Sequence, residues 1–417
     1  MERIAIVAPK FGKDINGGQE LHVSLIANRL KDKYDITILS SCLNDKDEAT
    51  YPIGENRDEG FRIIRFAADT PDQKKHEKAF RYLHKSRIYK EKKISITNLF
   101  SLLPKKIKYR HRKNHKQIFE DWVNTQNPHC SQLIEYIKNN QKEFSAFIFF
   151  GYWNYLTYAG LKEVPDKSIL IPIAHNEATI YFDGLGKVFS LPRIILYNSQ
   201  PEKELVESLH PEAKNTTSEI VGLGFEKPYI DLEYAKNKTI DYPFFVYIGR
   251  IHEHKGCKQM LEDFESYKQA YHNDYKLVLI GKNFMDVPKT SDNIVYLGFV
   301  DDQEKYFYLQ HADALIIPSM HESLSMVTLE AMLMGKPVIA NRKADVLKSH
   351  IEISRAGYTY ENKEEFCDIL NKVIHLSDNE KEEIAKNGIS YVERNYQWPV
   401  IVNKFVTAIE TIKTHLT

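Results

Sequence analysis

The sequence predicts an α/β protein built from two doubly wound parallel sheets, and three observations carry that expectation. Strand-like apolar runs alternate with helical stretches along the whole chain, the pattern of a parallel sheet covered on both faces. At 417 residues the chain is long enough for two domains of ordinary size. The stretch Ala314-Leu-Ile-Ile-Pro318-Ser-Met-His321-Glu322-Ser-Leu-Ser325-Met-Val-Thr-Leu-Glu330 reads as a buried strand stopped by proline, a polar turn, and a helix over 325–334. Such a turn sits at a strand's carboxyl end and a helix's amino end, where open α/β sheets bind ligands and free N–H groups suit a phosphate.

In chain order the expected strands are 4–8, 36–40, 61–66, 144–150, 168–174, 194–198 and 219–223 in the first half. In the second half they are 244–248, 276–280, 294–297, 314–317, 337–340 and 357–360. The first strand leads to Gly17-Gly18 and an amphipathic stretch over 21–30. Paired glycines at that place let a backbone pass close to a ligand, although by themselves a plain tight turn is the better explanation. Lost periodicity, charge and Pro228 place a linker near 225–241. The expected domains are therefore 1–226 together with 397–417, and 227–396.

Lys+Arg and Asp+Glu number 57 each, so net charge predicts no partner. Their distribution says more. Lys74–Lys116 holds 16 basic residues against Glu77 and Glu91, interleaved with Phe80, Tyr82, Tyr89, Phe100 and Tyr109 and with the apolar run Leu99–Leu103. A solvated insertion is one reading; a surface that docks on anionic lipid by charge and apolar burial is the other. No nucleic-acid-binding module is recognisable, so nucleic acid is not an expected partner. Four widely spaced cysteines without a C-x-x-C pair fit a reducing compartment and argue against a zinc site. The apolar run at 4–8 is too short for a signal peptide, and no run approaches the roughly 20 residues of a membrane span. The expected location is the cytoplasm, with any membrane contact peripheral.

Three further motifs bear on chemistry. Phe244-Phe-Val-Tyr-Ile-Gly249-Arg250 runs a strand into a glycine and a cation, and Lys255-Gly256 follows five residues later. Arg can fork onto two oxygens of a diphosphate while Lys acts as a point charge. His175 stands just past the apolar run 168–174, where a structural role is the ordinary one for an isolated histidine. Gly151-Tyr152-Trp153-Asn154-Tyr155 puts aromatics at a strand end, suited either to a sugar face or to core packing.

The segment His321-Glu322-Ser-Leu-Ser-Met-Val-Thr-Leu-Glu330-Ala-Met332 resembles the paired-glutamate motif of family-4 retaining glycosyltransferases, the glycosyl transferases group 1. The resemblance implies a GT-B fold: two Rossmann-like domains facing across a cleft, with a C-terminal helix crossing back to the first. It implies that Arg250, Lys255, Gly17, Gly18 and the helix start at Ser325, Met326 and Val327 bind the donor diphosphate. Glu322 would orient the donor sugar, Glu330 the ribose, Phe299 and Val300 the base, and His175 would stand beside the reaction centre. The chain departs from the family in having Gly222 and Gly224 where a Pro-Asn-Gly turn is usual, and Ala344-Asp345 where a glycine pair is common.

The expected function is transfer of a sugar with retention, from a UDP-sugar or, second, GDP-mannose, to a saccharide or lipid-linked acceptor in bacterial surface polysaccharide synthesis. It is a hexosyltransferase-type reaction with no metal and no cofactor beyond the substrates. The alternative is a non-catalytic nucleotide-sugar-binding partner of another transferase.

Overall fold

The computed structural model describes residues 1–12, 15, 17–58, 60–93, 115–236, 238–285 and 291–416; for 86–93, 232 and 416 it describes the backbone alone. The chain forms two compact units, residues 1–222 with 402–417, and residues 223–401.

The first unit is built on eight strands: β1 (Glu2–Val7), β2 (Tyr34–Ser41), β3 (Gly54–Asp58), β4 (Phe61–Phe66), β5 (Ala146–Phe150), β6 (Ser168–Ile171), β7 (Ile194–Tyr197) and β8 (Thr217–Ile220). Their order is β3-β4-β2-β1-β5-β6-β7-β8. Pairing is parallel throughout except at β3, which runs antiparallel to β4 along the edge. Ala146–Phe150 and Ser168–Ile171 are buried at every residue, as expected of central strands covered on both faces. Trp122, Tyr152, Phe182 and Phe189 fill one covering layer with Phe147 and Phe149. Strand order reverses between β1 and β5, and the helix Gly18–Leu30 starts there: Gln19 Nε2 donates to Phe150 O at 3.4 Å and the His22 ring meets Phe150 edge-on.

The second unit holds β9 (Phe244–Ile248), β10 (Lys276–Ile280), β11 (Ile294–Gly298), β12 (Leu315–Ile317), β13 (Val338–Asn341) and β14 (Gly357–Tyr360). Their order is β11-β10-β9-β12-β13-β14, all parallel, with the reversal between β9 and β12. Both sheets are doubly wound, as the sequence predicts.

Two local differences from the sequence reading have physical causes. Strand β3 is absent from the expectation because Gly-Glu-Asn-Arg-Asp carries no apolar alternation; it is held by the ladder to β4 and by an Arg62–Glu55 ion pair at 2.8 Å. Strand β6 stops at Ile171 rather than 174, since Pro172 offers no N–H and Ile173 turns into the left-handed region at φ 55.

Within Lys74–Lys116, Gln73–Lys93 is a helix whose Ala79 and Leu83 are buried. Lys74, Lys78, Arg81 and Lys85 are exposed; spaced by three and four, they form one ridge. Leu99–Leu103, Phe100 and Tyr109 lie outside the described residues. Among the described residues, no helix is long and apolar enough to cross a membrane.

His22 in the first unit and His350 in the second are buried, and burial pulls each down to about 4. Unfolded histidine takes a proton near 6.5, so the unfolded state binds more protons below that pH. Stability from these groups is present above about pH 6.5 and is lost as pH falls towards 4, by up to about 3 kcal/mol each. Denaturant unfolding should therefore weaken between pH 6.5 and 5, with a shallower slope in His350→Gln than in the native chain.

Candidate active site

The site of the second unit lies at the carboxyl ends of β9 and β12, where the strand order reverses. Strand β9 ends in Gly249, at φ 152, and the exposed Arg250. Neighbouring β10 ends in Gly281, where any side chain would collide with the Gly249 carbonyl oxygen; Gly281 N–H donates to Gly298 O at 2.7 Å. Three strand ends thus meet through bare backbone. Phe299 follows at this edge with 71% of its surface exposed, and Val300 is half-buried.

After Arg250 the chain makes a short turn over Glu253–Lys255 and enters the helix Cys257–Tyr271 through Gly256. Gly256 is left-handed at φ 76, and a Cβ there would strike the Pro318 carbonyl oxygen. Only glycine lets the two backbones approach so closely. That approach brings Lys255 to the turn after β12, and Lys255 Nζ donates to Glu322 Oε1 at 2.8 Å. The pair is mostly enclosed, with side chains 31% and 17% exposed. Among the described residues the Arg250 guanidinium has no ion-pair partner, while its backbone oxygen accepts from Tyr247 OH at 2.8 Å.

The helix after the turn is Met326–Leu333, one residue shorter at each end than the stretch 325–334 read from sequence. Ser325 is its cap and stands in the left-handed region at φ 60, with Oγ 2.9 Å from Thr328 Oγ1. A non-glycine residue there carries backbone strain, which persists only where surroundings hold it. Those surroundings include His350, whose Nε2 lies 2.8 Å from Leu324 O and whose Nδ1 lies 2.9 Å from Tyr391 OH. The N–H groups of Met326 and Val327 open the first helical turn and have no partner among the described residues, the chemistry that suits an anion at a helix start.

Glu330, one turn further, is 18% exposed and receives Tyr306 OH at 3.1 Å and Lys305 Nζ at 3.4 Å from the helix Asp302–His311. Burial pushes its carboxyl above the ordinary range while Lys305 pulls it down. Burial likewise opposes the Lys305 charge, but Glu330, Tyr306 and Asp302 outweigh it and hold the ammonium above its usual value. Sequence reasoning missed Lys305 and Tyr306. Their spacing from Glu330 follows from strand order, and no local motif marks them.

In the first unit, Gly17 caps the helix Gly18–Leu30 in extended backbone, and Glu20 folds back beside it. His175 is 26% exposed past the end of β6, with Nε2 3.3 Å from Glu177 Oε2. Tyr152 is fully buried, so its ring serves the core. Among the described residues no group of three or more His, Cys, Asp or Glu side chains is placed to hold a metal.

Two Rossmann-like units with this strand order and this switch-point site define the GT-B fold. Residues 232–391 match the family described as Glycosyl transferases group 1. Over 317 residues the chain is 26% identical to the lipopolysaccharide 1,2-N-acetylglucosaminetransferase of Salmonella typhimurium, covering 70% of this chain and 80% of that protein. Sucrose-phosphate synthase of Thermosynechococcus elongatus superposes over 100% of both chains with a TM-score of 0.68 at 14% identity. Anabaena HepE, solved with UDP and glucose, superposes over 99% of this chain and 100% of its own with a TM-score of 0.66 at 13% identity. The fold is thus GT-B, and within it residues 232–391 resemble the glycosyl transferases group 1.

Gly256→Ala should destabilise the second unit by about 1–3 kcal/mol, since the left-handed backbone and the Pro318 contact both resist a Cβ; thermal unfolding measures it. Lys305→Met leaves Glu330 enclosed without its cation. Its deficit in stability should be large at pH 8 and shrink as pH falls and Glu330 takes up a proton.

Proposed function

We propose that the chain is a retaining, metal-independent glycosyltransferase that moves a sugar from a nucleotide-diphosphate sugar, UDP-linked in the first instance, onto a saccharide or lipid-linked acceptor of surface polysaccharide. The observation that carries this reading is the meeting of Lys255, Glu322 and the open N–H groups of Met326 and Val327 at the β9–β12 switch point.

Breaking the anomeric C–O bond leaves positive charge on the sugar ring and negative charge on the departing diphosphate. Arg250, Lys255 and the helix start are assigned to that developing negative charge, with Ser325 shaping the cap. Because Lys255 already touches Glu322, one cation can serve two anions, the leaving phosphate and the carboxylate that orients the sugar hydroxyls. Glu330 is assigned to the ribose hydroxyls through charge-assisted bonds, and Phe299 and Val300 to the base. Gly17, Gly18 and His175 are carried into the same reaction by family resemblance. Attack on the face that the leaving group departs is the retaining route assigned, with the phosphate oxygen taking the acceptor proton; a double displacement would need a carboxylate nucleophile instead. The Salmonella relative's name supports a lipopolysaccharide setting.

The ridge of Lys74, Lys78, Arg81 and Lys85 is assigned to an anionic membrane surface that carries the acceptor. Each basic residue near such a surface contributes about 1 kcal/mol.

Glu322→Gln and Lys255→Ala should each lower sugar transfer by orders of magnitude with the fold intact; near-native turnover in both would sink the assignment. Thermal shift against UDP, GDP, ADP and their sugars should raise Tm for one nucleotide class, and turnover should survive EDTA. Replacing the four ridge residues by glutamate should abolish sedimentation with phosphatidylglycerol vesicles at low salt.

A further inference from the structure

The loop that carries His175 is held far more tightly than a surface histidine needs. The chain leaves β6 at Ile171 and passes Pro172 into Ile173, a β-branched residue at φ 55. Such a residue is a backbone outlier, kept only where neighbours over-determine it. The neighbour is Glu202, 1% exposed in the first turn of the helix Gln200–Leu209. One of its oxygens accepts Ala174 N–H and the other Asn198 N–H, each at 2.5 Å, so a single carboxylate ties the residue before His175 to the end of β7.

His175 itself meets a second carboxylate. Its Nε2 lies 3.3 Å from Glu177 Oε2, and Glu177 N–H donates to His175 O at 2.8 Å. The other oxygen, Glu177 Oε1, accepts Tyr152 OH at 2.7 Å, and the Tyr152 oxygen lies 2.7 Å from Thr179 Oγ1. Tyr152 is fully buried at the end of β5. Both oxygens of Glu177 are therefore engaged, one by the core and one by the imidazole. Burial opposes its charge, but His175, Tyr152 and Thr179 hold the carboxyl down to about 2.

We propose that Glu177, braced by Tyr152 and Thr179, is a positioning residue that fixes the ring orientation and tautomer of His175 for sugar transfer. A carboxylate on one ring nitrogen keeps the proton on that nitrogen and turns the other towards its partner. Here the proton stays on Nε2, which leaves Nδ1 as the acceptor of the neutral ring. The assignment rests on the glycosyltransferase reading for its consequence in turnover, but its geometry stands without it.

The test joins kinetics with nitrogen-15 spectra of the histidine side chains in the full chain. Glu177→Gln keeps shape and removes charge; Tyr152→Phe removes the brace; Glu177→Asp is the conservative control. Glu177→Gln should lower kcat about 10–100-fold with donor KM within about twofold, and Glu177→Asp should recover part of it. Independently of turnover, the His175 signal should lose its Nε2–H preference in Glu177→Gln and Tyr152→Phe. In Glu177→Gln its titration midpoint should fall, while Glu202 remains as a further acid acting on it. An unchanged His175 spectrum and titration in both folded variants would overturn the proposal. If even the native chain transfers no sugar while the spectra change as expected, the brace stands and the glycosyltransferase reading fails.

Discussion

The site of the second unit depends on one close approach of two backbones, Gly256 against the carbonyl of Pro318. The Lys255–Glu322 contact at the β9–β12 reversal follows from it. The left-handed glycine starts a helix, sets Lys255 at the turn beyond β12, and makes a 2.8 Å contact with Glu322 from residues 67 positions apart. An ion pair of two flexible side chains is ordinarily worth little when solvated. This one is preset by a steric constraint in the main chain and is largely enclosed, so its geometry is settled before any ligand arrives.

A second constraint is the row of glycines along the strand ends. Gly249, Gly281 and Gly298 meet carbonyl to backbone, and two of them lie next to residues assigned to the donor, Arg250 and Phe299. A side chain at Gly281 would strike the Gly249 carbonyl and push those two strand ends apart. Around this rigid edge the polar groups come in supported sets: Glu330 with Lys305 and Tyr306, Leu324 with His350 and Tyr391. Each set joins a residue near the turn to a helix distant in sequence.

The doubly wound sheets were legible because buried parallel strands leave continuous apolar runs, as in Phe244–Ile248 or Ala146–Phe150. Strand β3 was not, because an edge strand held by a ladder and an Arg–Glu pair has no apolar pattern to read. In the site, Arg250, Lys255, Glu322 and Glu330 stood out through motif spacing. The partners Lys305, Tyr306 and His350 did not, since their proximity is created by strand order and helix packing. Glu177 and Tyr152 were hidden for the same reason: a strand-end aromatic and a loop carboxylate become a network only when β5 and β6 lie side by side. Ile173 and Ser325 show no sequence sign of their left-handed backbones, which neighbouring contacts impose.

The helix Trp398–Leu416 belongs to the second unit at its start and to the first from Val402 onward. There Phe405, Ile409 and Ile412 are buried, Lys404 donates to Ile220 O and Lys413 pairs with Glu2. The ribosome makes these residues only after the entire second unit has been synthesised. The first unit, although begun first, must wait through the synthesis of about 180 intervening residues before its last apolar seam can be closed. During that interval the start of β1 lacks the Lys413 contact and the sheet lacks part of its cover, so the nascent chain completes its amino-terminal half last.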